Sequence, residues 1–208
     1  MVNLNLILFI SFVAPLLIFL AFFKGTVRKI FVFFILGLTL CLLCGELNGL
    51  VMNNLEIDYD YITINIIPII EEIIKALPIL IYAFCSKPKV KDILLCALAI
   101  GIGFSVLENA FILAVDVDNA TLISAVFRGF GAGMMHALCS FMVGYGLSFV
   151  RKSSRLAICG TFALLALAIM YHSTYNCIVQ SNYSHWGIIL PFVTFIGLLI
   201  LFKAKPIE

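Results

Sequence analysis

The segment Pro68-Ile-Ile-Glu71-Glu72-Ile-Ile-Lys75-Ala-Leu-Pro78 places two carboxylates and one ammonium group in a run that is otherwise apolar from about residue 61 to residue 84. This length predicts a membrane-spanning helix, since about 20 apolar residues cross the ~30 Å hydrocarbon core of a bilayer. Each ionisable group at that depth costs at least about 2.5 kcal/mol, and such groups usually face a protein interior or a wet cavity. Glu71 and Lys75 share a helix face and are predicted to pair, which leaves Glu72 without its own lysine. This second acid indicates a functional site.

The composition excludes a soluble domain. The 208 residues are 63% hydrophobic, with a mean hydropathy of +1.18. The apolar runs are continuous and do not alternate with polar residues, so they predict membrane helices and not the strands of a barrel. We expect one transmembrane domain over residues 1–208, with its polar motifs within residues 68–180.

Positive charge follows a regular pattern along the chain. Seven apolar segments lie at about residues 4–23, 30–53, 61–84, 93–115, 121–150, 156–179 and 186–202. Eleven of the thirteen Lys and Arg residues fall in the first, third and fifth loops and in the tail: Lys24, Arg28, Lys29, Lys87, Lys89, Lys91, Arg151, Lys152, Arg155, Lys203 and Lys205. The second and fourth loops carry acids, namely Glu56, Asp58, Asp60, Asp116 and Asp118. Because cytoplasmic loops hold the excess of Lys and Arg, we predict an all-α membrane protein of about seven transmembrane helices, with its N-terminus outside and its C-terminus in the cytoplasm.

The predicted orientation fixes the depth of the polar groups, since a helix rises about 1.5 Å per residue. The two glutamates of the third segment come about ten residues, or ~15 Å, below the outer surface. Glu108 and His172 each come about seven residues before the outer end of their segments. His136 follows Arg128, which we take as the outer boundary of the fifth segment, by about eight residues. Polar groups from four helices are thus predicted at one level in the outer half of the membrane, and a single site explains this common depth.

Three of these helices carry short motifs at that level. They are Gly101-Ile-Gly103-Phe104-Ser-Val-Leu-Glu108-Asn109, Gly129-Phe-Gly131-Ala-Gly133-Met-Met-His136-Ala-Leu-Cys-Ser140 and His172-Ser-Thr-Tyr-Asn176. Alone, each motif reads as a packing feature, because small residues and hydrogen-bonded polar side chains are common where membrane helices meet. Together with the third segment, however, they bring about three negative charges and only one positive charge into the membrane.

The surplus of about two negative charges has to be compensated, because burying it bare is prohibitive. Protonated acids, a protonated His136 or His172, and one divalent cation are the open alternatives. Imidazoles and carboxylates are the usual ligands of catalytic Zn²⁺, which keeps a water in its remaining position. We therefore favour Zn²⁺, with a metal-free glutamate mechanism as the alternative. Glu46 lies at a similar depth, and its role as a further acid or as a structural hydrogen-bonding partner stays open.

The set of motifs resembles the PrsW family of intramembrane proteases, which is related to the CAAX-prenyl-protease and bacteriocin-processing group. The resemblance rests on Glu71-Glu72-x-x-Lys75, Phe104-x-x-x-Glu108-Asn109, His136 in a glycine-rich helix, and His172-x-x-x-Asn176. Each motif is short, but the four come in the family's order and cover about residues 68–180. The broader group commonly has EExxxR and FxxxH where this chain has EExxK and FxxxE, and this departure points to the PrsW branch.

The resemblance implies proteolysis of membrane-associated proteins in the bacterial cytoplasmic membrane, including first-site cleavage of an anti-sigma factor in envelope-stress signalling. We therefore hypothesise hydrolysis of a peptide bond in or next to the transmembrane segment of a protein or peptide substrate. The lipid bilayer is the other expected partner, and we expect no nucleic acid.

The hypothesis assigns a role to each polar group. Glu71 or Glu72 is the predicted general base on a water. Glu108, His136 and His172 are the predicted metal ligands. The developing oxyanion is predicted to accept hydrogen bonds from Asn176, with His172 as the alternative donor. Lys75 is predicted to neutralise one carboxylate, and Pro68 and Pro78 to loosen the helical hydrogen bonding around the motif.

Two rival functions are compatible with buried Glu and His residues. An ion-coupled transporter would use them as a proton relay, although the sequence shows no inverted repeat and seven spans do not divide into two halves. A catalytically inactive scaffold would use the polar cluster only to hold its helices together. Hydrolysis of a transmembrane peptide by the purified protein separates the protease from both.

Overall fold

The computed structural model describes residues 4–115, 117–119 and 121–204. Within these ranges the chain is helical and contains no strand, which confirms the predicted all-α fold. Asp116 and Lys205, two members of the charge pattern, lie outside the described residues.

Seven helical rods follow one another in the described part of the chain, at the positions of the seven apolar segments. We number them α1 (Leu4–Leu8, Phe9–Val13 and Ala14–Phe19), α2 (Gly25–Asn54), α3 (Tyr59–Tyr61, Ile62–Ile66 and Ile67–Ser86), α4 (Val90–Val115), α5 (Leu122–Val126, Phe127–Ala132, Gly133–Leu147 and Ser148–Arg151), α6 (Ser154–Val179) and α7 (Trp186–Ala204). A short 3₁₀ turn, Val117–Asn119, precedes α5.

Four helices in the described ranges are long and apolar enough to cross a membrane, namely α2, α4, α5 and α6. The apolar runs of α1 and α7, at Leu6–Phe19 and Trp186–Ile200, are shorter. Helix α3 carries three ionisable side chains within its apolar run. The protein is therefore membrane-embedded, while the count of seven spans and the orientation of the termini stay predictions.

Glycines let the helices cross at backbone contact. A Cβ atom on Gly37 of α2 would lie 2.9 Å from the amide nitrogen of Phe104 on α4. A Cβ atom on Gly101 of α4 would lie 2.8 Å from the Cα atom of Ala137 on α5. Contacts this close exclude any side chain, so the glycine-rich segments act as the close-packing faces that small residues form between membrane helices.

Helix α3 packs against this arrangement and is buried along one face. Its residues Ile79 and Ala83 are fully buried, together with Ile100 of α4 and Cys139 of α5. The same face places Glu72 and Lys75 in the interior, each with a relative exposure of 1%. The polar groups of α3 thus point into the protein and away from lipid, as ionisable groups in a membrane usually do.

Two wide turns interrupt α3 and α5 near these polar groups. Ile62–Ile66 and Phe127–Ala132 are π-helical, so their main-chain hydrogen bonds reach the fifth residue. The N–H of Ile67 donates to the carbonyl of Ile62, and the N–H of Gly133 donates to that of Arg128. Single π turns inside helices are frequent at functional sites, and both of these carry residues that line the cavity described below.

Candidate active site

A chain of charged and polar side chains links α3, α5 and α4 inside the protein. The Lys75 Nζ atom lies 2.7 Å from Oε1 of Glu72 and 2.8 Å from Nδ1 of His136. The other ring nitrogen of His136, Nε2, lies 2.9 Å from Oε2 of Glu108. The predicted pairing of Lys75 with Glu71 is therefore wrong. The lysine pairs instead with the acid three residues before it, because His136 meets the ammonium group on that side.

The donors in this chain fix the protonation of His136. A lysine ammonium group only donates hydrogen bonds, so Nδ1 of His136 accepts and its Nε2 carries the proton that is donated to Glu108. The ammonium group also lies 4.6 Å from the centre of the Phe104 ring. Arg128 contacts the same Glu108 oxygen, with NH2 at 3.6 Å.

A second set of contacts surrounds His172 on α6. Its Nδ1 atom lies 2.8 Å from Oε1 of Glu72, and its Nε2 atom lies 3.9 Å from Oε2 of Glu71. The amide of Asn48, on α2, donates to Oε1 of Glu71 at 3.1 Å. The Oε2 atoms of Glu71 and Glu72 are buried without a hydrogen-bond partner. A buried carboxylate oxygen without a partner is costly, so Oε2 of Glu71 suits a bond to a cation or to water.

Glu71, His136 and His172 form a group that fits a metal ion. One donor atom of each lies within 4.8 Å of the others, and all three residues are buried. Two imidazoles and one carboxylate form a known ligand set of catalytic Zn²⁺. Glu72 supports this set from behind, because a carboxylate on the second ring nitrogen of a metal-binding histidine fixes the orientation of the ring. The residues present therefore fit a divalent cation of this kind, which at Nε2 of His136 would take the place of the proton that this nitrogen otherwise donates to Glu108.

The site opens into a cavity of about 540 Å³. Its polar lining comes from four neighbouring helices besides α4, and it comprises Glu46, Asn48, Thr63, Glu71, Glu108, Arg128, His136, His172, Asn176 and Gln180. The polar groups of α3, α4, α5 and α6 thus meet at one place, as the common depth predicted. Glu72 and Lys75 lie behind this lining, where they contact His172 and His136, whose side chains reach the cavity.

Three predicted site residues have positions that bear on their roles. Glu108 lines the cavity but contacts His136 and Arg128, and it does not belong to the compact group of three donors. The side-chain amide of Asn176 donates to the carbonyl of Thr63 at 3.0 Å. The assignments of ligands, base and oxyanion donor stay predictions.

Sequence reasoning did not find Arg128 and Asn48. Arg128 is predicted only to mark the outer boundary of the fifth segment, and this stays a prediction; the structure adds that the residue lines the cavity and that its Nε atom is buried without a hydrogen-bond partner. Its position on the acidic side of the membrane, against the charge pattern, was the available signal. The signal for Asn48 was weaker, because it is one polar residue six positions, or nearly two turns, before the end of α2.

Comparison with known proteins agrees with this arrangement. A family model described as PrsW family intramembrane metalloprotease matches residues 15–202. No curated protein and no solved structure gives a significant match. The match covers most of the chain, including every helix that supplies the polar cluster, and confirms the resemblance drawn from the four motifs. The chain belongs to the PrsW family of intramembrane metalloproteases.

Proposed function

We propose that this protein hydrolyses a peptide bond in or next to the transmembrane segment of a membrane protein, with a divalent cation, Zn²⁺, held by Glu71, His136 and His172. The observation that carries the proposal is the group of three donor atoms within 4.8 Å of one another at a polar cavity. A substrate helix cannot be cleaved unless its backbone meets water, and this cavity offers a polar space inside the bundle. When bound, the cation supplies a Lewis acid that activates water and polarises a carbonyl group.

Two of the glutamates that line the cavity, Glu71 and Glu108, take different roles in this proposal. Glu71 belongs to the ligand group, and its Oε2 atom lacks a protein partner. Glu108 faces the same cavity and has a relative side-chain exposure of 22%, so water can reach it. We assign the ligand role to Glu71 and the proton acceptor to Glu108, which exchanges the roles predicted from the sequence.

Glu72 and Lys75 act through the histidines. Glu72 accepts from Nδ1 of His172 and thereby directs Nε2 of that ring to the side where Glu71 lies. Lys75 donates to Nδ1 of His136 and neutralises Glu72. Neither residue lines the cavity, so we assign both as positioning residues.

Arg128 is the donor that suits the developing oxyanion. Its guanidinium group lines the cavity beside Glu108, and its Nε atom has no acceptor in the protein. Donors aimed at the charge of the transition state contribute a large share of catalysis. Asn176, the donor predicted from the sequence, already directs an amide hydrogen to Thr63. The geometry therefore supports Arg128 better than Asn176 for this role.

The class of substrate follows from the family resemblance. It suggests a membrane-anchored regulator such as an anti-sigma factor, cleaved in the bacterial cytoplasmic membrane. The enzyme would then act as the first protease of a stress-signalling cascade.

The experiment combines metal analysis with peptide cleavage in detergent. Wild-type protein, Glu71→Gln and the control Glu56→Gln, an exposed carboxylate in the loop before α3, are purified and analysed for bound zinc. Each is then incubated with a fluorogenic transmembrane peptide, before and after treatment with a chelator. We expect about one zinc ion in the wild type and in the control. In Glu71→Gln the metal affinity should fall by more than the roughly 10- to 100-fold that loss of a supporting contact costs.

Each outcome decides between the functions. Cleavage that survives complete removal of metal would refute the metal site and favour the glutamate mechanism. Zinc binding without cleavage of any transmembrane peptide would favour an inactive scaffold. If Glu71→Gln cleaves the peptide at the wild-type rate, Glu71 has no role in the active site.

A further inference from the structure

The carbonyl group of Thr63 has lost both of its main-chain donors. In an α-helix it would accept from the N–H of Ile67, but that group donates to Ile62 across the π turn. In the π register it would accept from residue 68, which is a proline and has no N–H. The carbonyl lies on a buried residue, with a relative exposure of 9%. A buried carbonyl without a donor is unfavourable, so it needs a partner from elsewhere.

Asn176 of α6 supplies that partner. Its Nδ2 atom donates to the Thr63 carbonyl at 3.0 Å. A second contact lies beside it, since the Thr63 hydroxyl lies 3.1 Å from Oε1 of Gln180, at the end of α6, and shares its one proton between that oxygen and the carbonyl of Asp60, also at 3.1 Å. The outer part of α3 is therefore attached to α6 by polar contacts that the π turn and Pro68 make available.

This attachment lies one helical turn from the ligand group. Asn176 follows His172 by four residues on the same face of α6, and His172 itself contacts both glutamates of α3. One contact between two helices leaves them free to pivot about it, whereas two contacts at different levels fix both their separation and their rotation. The bond to Thr63 is the second contact.

We propose that Asn176 is a positioning residue that bonds the carbonyl left unpaired by Pro68 and so fixes His172 against Glu71. An asparagine is required at this position because the acceptor is a carbonyl oxygen. An aspartate has no N–H to donate, and its negative charge would repel that oxygen. The effect on a metal ion rests on the proposed function, but the attachment of α6 to α3 does not. This role differs from the one predicted from the sequence motif, in which Asn176 donates to the oxyanion.

A double-mutant cycle tests the attachment without metal. Thermal unfolding in detergent is measured for the wild type, Asn176→Leu, Pro68→Ala and the double variant after chelation. Leucine keeps the branched shape of asparagine and removes the donor, while Pro68→Ala restores a main-chain N–H in register with the Thr63 carbonyl. We expect Asn176→Leu to lower the Tm by roughly 5 °C and to lower it clearly less in the Pro68→Ala background. Equal losses in both backgrounds would overturn the proposal.

Asn65→Leu is the matched control. Asn65 lies in the same π turn, is exposed, and bonds only to the carbonyl of Tyr61 on its own helix. Its loss should leave the Tm close to that of the wild type in both backgrounds.

Co²⁺ binding tests the positioning of His172. The visible absorption of bound Co²⁺ reports the geometry of its ligands independently of cleavage. Asn176→Leu should weaken Co²⁺ binding by about 10- to 100-fold and alter the spectrum, and Pro68→Ala should restore part of both. A fall in kcat with an unchanged spectrum and Tm would identify Asn176 as an oxyanion donor and overturn the proposal. Absence of Co²⁺ binding by the wild type would refute the metal site, and the unfolding cycle would still decide the attachment.

Discussion

Replacing Lys75 by methionine should destabilise the protein more than the loss of an ordinary lysine. The side chain is 1% exposed, and its ammonium group contacts Glu72 at 2.7 Å and His136 at 2.8 Å. Methionine fills a similar volume but leaves Glu72 buried without its counter-charge. Removing one partner of a buried ion pair costs about 3–5 kcal/mol, and the lost contact with the Phe104 ring adds roughly 1–2 kcal/mol. We therefore expect a loss of about 4–7 kcal/mol, a large fraction of the roughly 5–15 kcal/mol that stabilises a typical fold.

The assay is equilibrium unfolding in mixed detergent micelles, followed by circular dichroism. Lys29→Met is the matched control, because Lys29 pairs with Asp92 at 2.8 Å but its side chain is 44% exposed. An exposed pair contributes about 0–1 kcal/mol, so this variant should unfold almost as the wild type does. Adding Glu72→Gln to Lys75→Met removes the uncompensated charge and should recover about 1–3 kcal/mol.

Two results would refute this reasoning. If Lys75→Met stays within about 1 kcal/mol of the wild type, Glu72 is not a buried carboxylate that depends on this lysine. If the losses from Lys75→Met and Glu72→Gln simply add, the two groups do not interact as an ion pair.

Two further predictions concern the cavity and the membrane orientation. Arg128→Lys keeps the positive charge but removes the Nε donor, so kcat should fall by about 10²–10³ with little change in KM; wild-type kcat would exclude Arg128 as the oxyanion donor. In a variant without native cysteines, a cysteine introduced at Asp58 or Asp118 should react with an impermeant reagent from outside, and one at Lys89 or Lys152 only from the cytoplasm. Reversed labelling would overturn the predicted orientation.

The sequence predicted the helices and the convergence of the polar groups for one physical reason. Charge is so costly in a bilayer that Glu108, His136 and His172, at one depth on three helices, had to share an environment with the glutamates of α3. That argument needs only the apolar runs and the rise per residue. It does not need the packing of the helices.

The partner of each group could not be predicted in this way. Lys75 can reach an acid three or four residues before it, because both spacings bring the side chains to one helix face. The choice of Glu72 depends on His136 and Asn48, which belong to other helices and take opposite sides of the motif. Contacts with other helices therefore decide which of the two glutamates pairs with Lys75, a choice that the spacing along α3 leaves open.

The π turn of α5 explains why the sequence did not place Arg128 at the cavity. A π turn accommodates one extra residue, so the faces of the helix on its two sides are rotated relative to each other. Regular helical spacing therefore could not place Arg128 relative to His136. The π turn of α3 has a similar effect, because regular α-helical hydrogen bonding would predict a main-chain donor for the carbonyl of Thr63.

The glycine contacts have a consequence for how a substrate enters. Gly37 joins α2 to α4, Gly101 joins α4 to α5, and a Cβ atom on Gly146 of α5 would lie 2.7 Å from the Cα atom of Thr161 on α6. These crossings bring backbone against backbone, so the four helices cannot slide past one another without a clash and form a rigid frame. Helix α3 has no glycine, and none of the close glycine contacts in the described residues reaches it.

Helix α3 is held to this frame near the site by directional hydrogen bonds, including those that His172 donates to Glu72 and Asn176 donates to the carbonyl of Thr63. Such bonds can be replaced by bonds to water or to a substrate backbone. The close backbone contacts at the glycines have no such replacement. We therefore expect α3, the helix that carries the two glutamates, to move relative to the other four helices when a substrate enters, and to regain its bonds to α6 before the bond is cleaved. A disulfide that joins α3 to α6 should stop cleavage, while one between α2 and α4 should leave it unchanged, and the opposite result would show that the frame itself has to open.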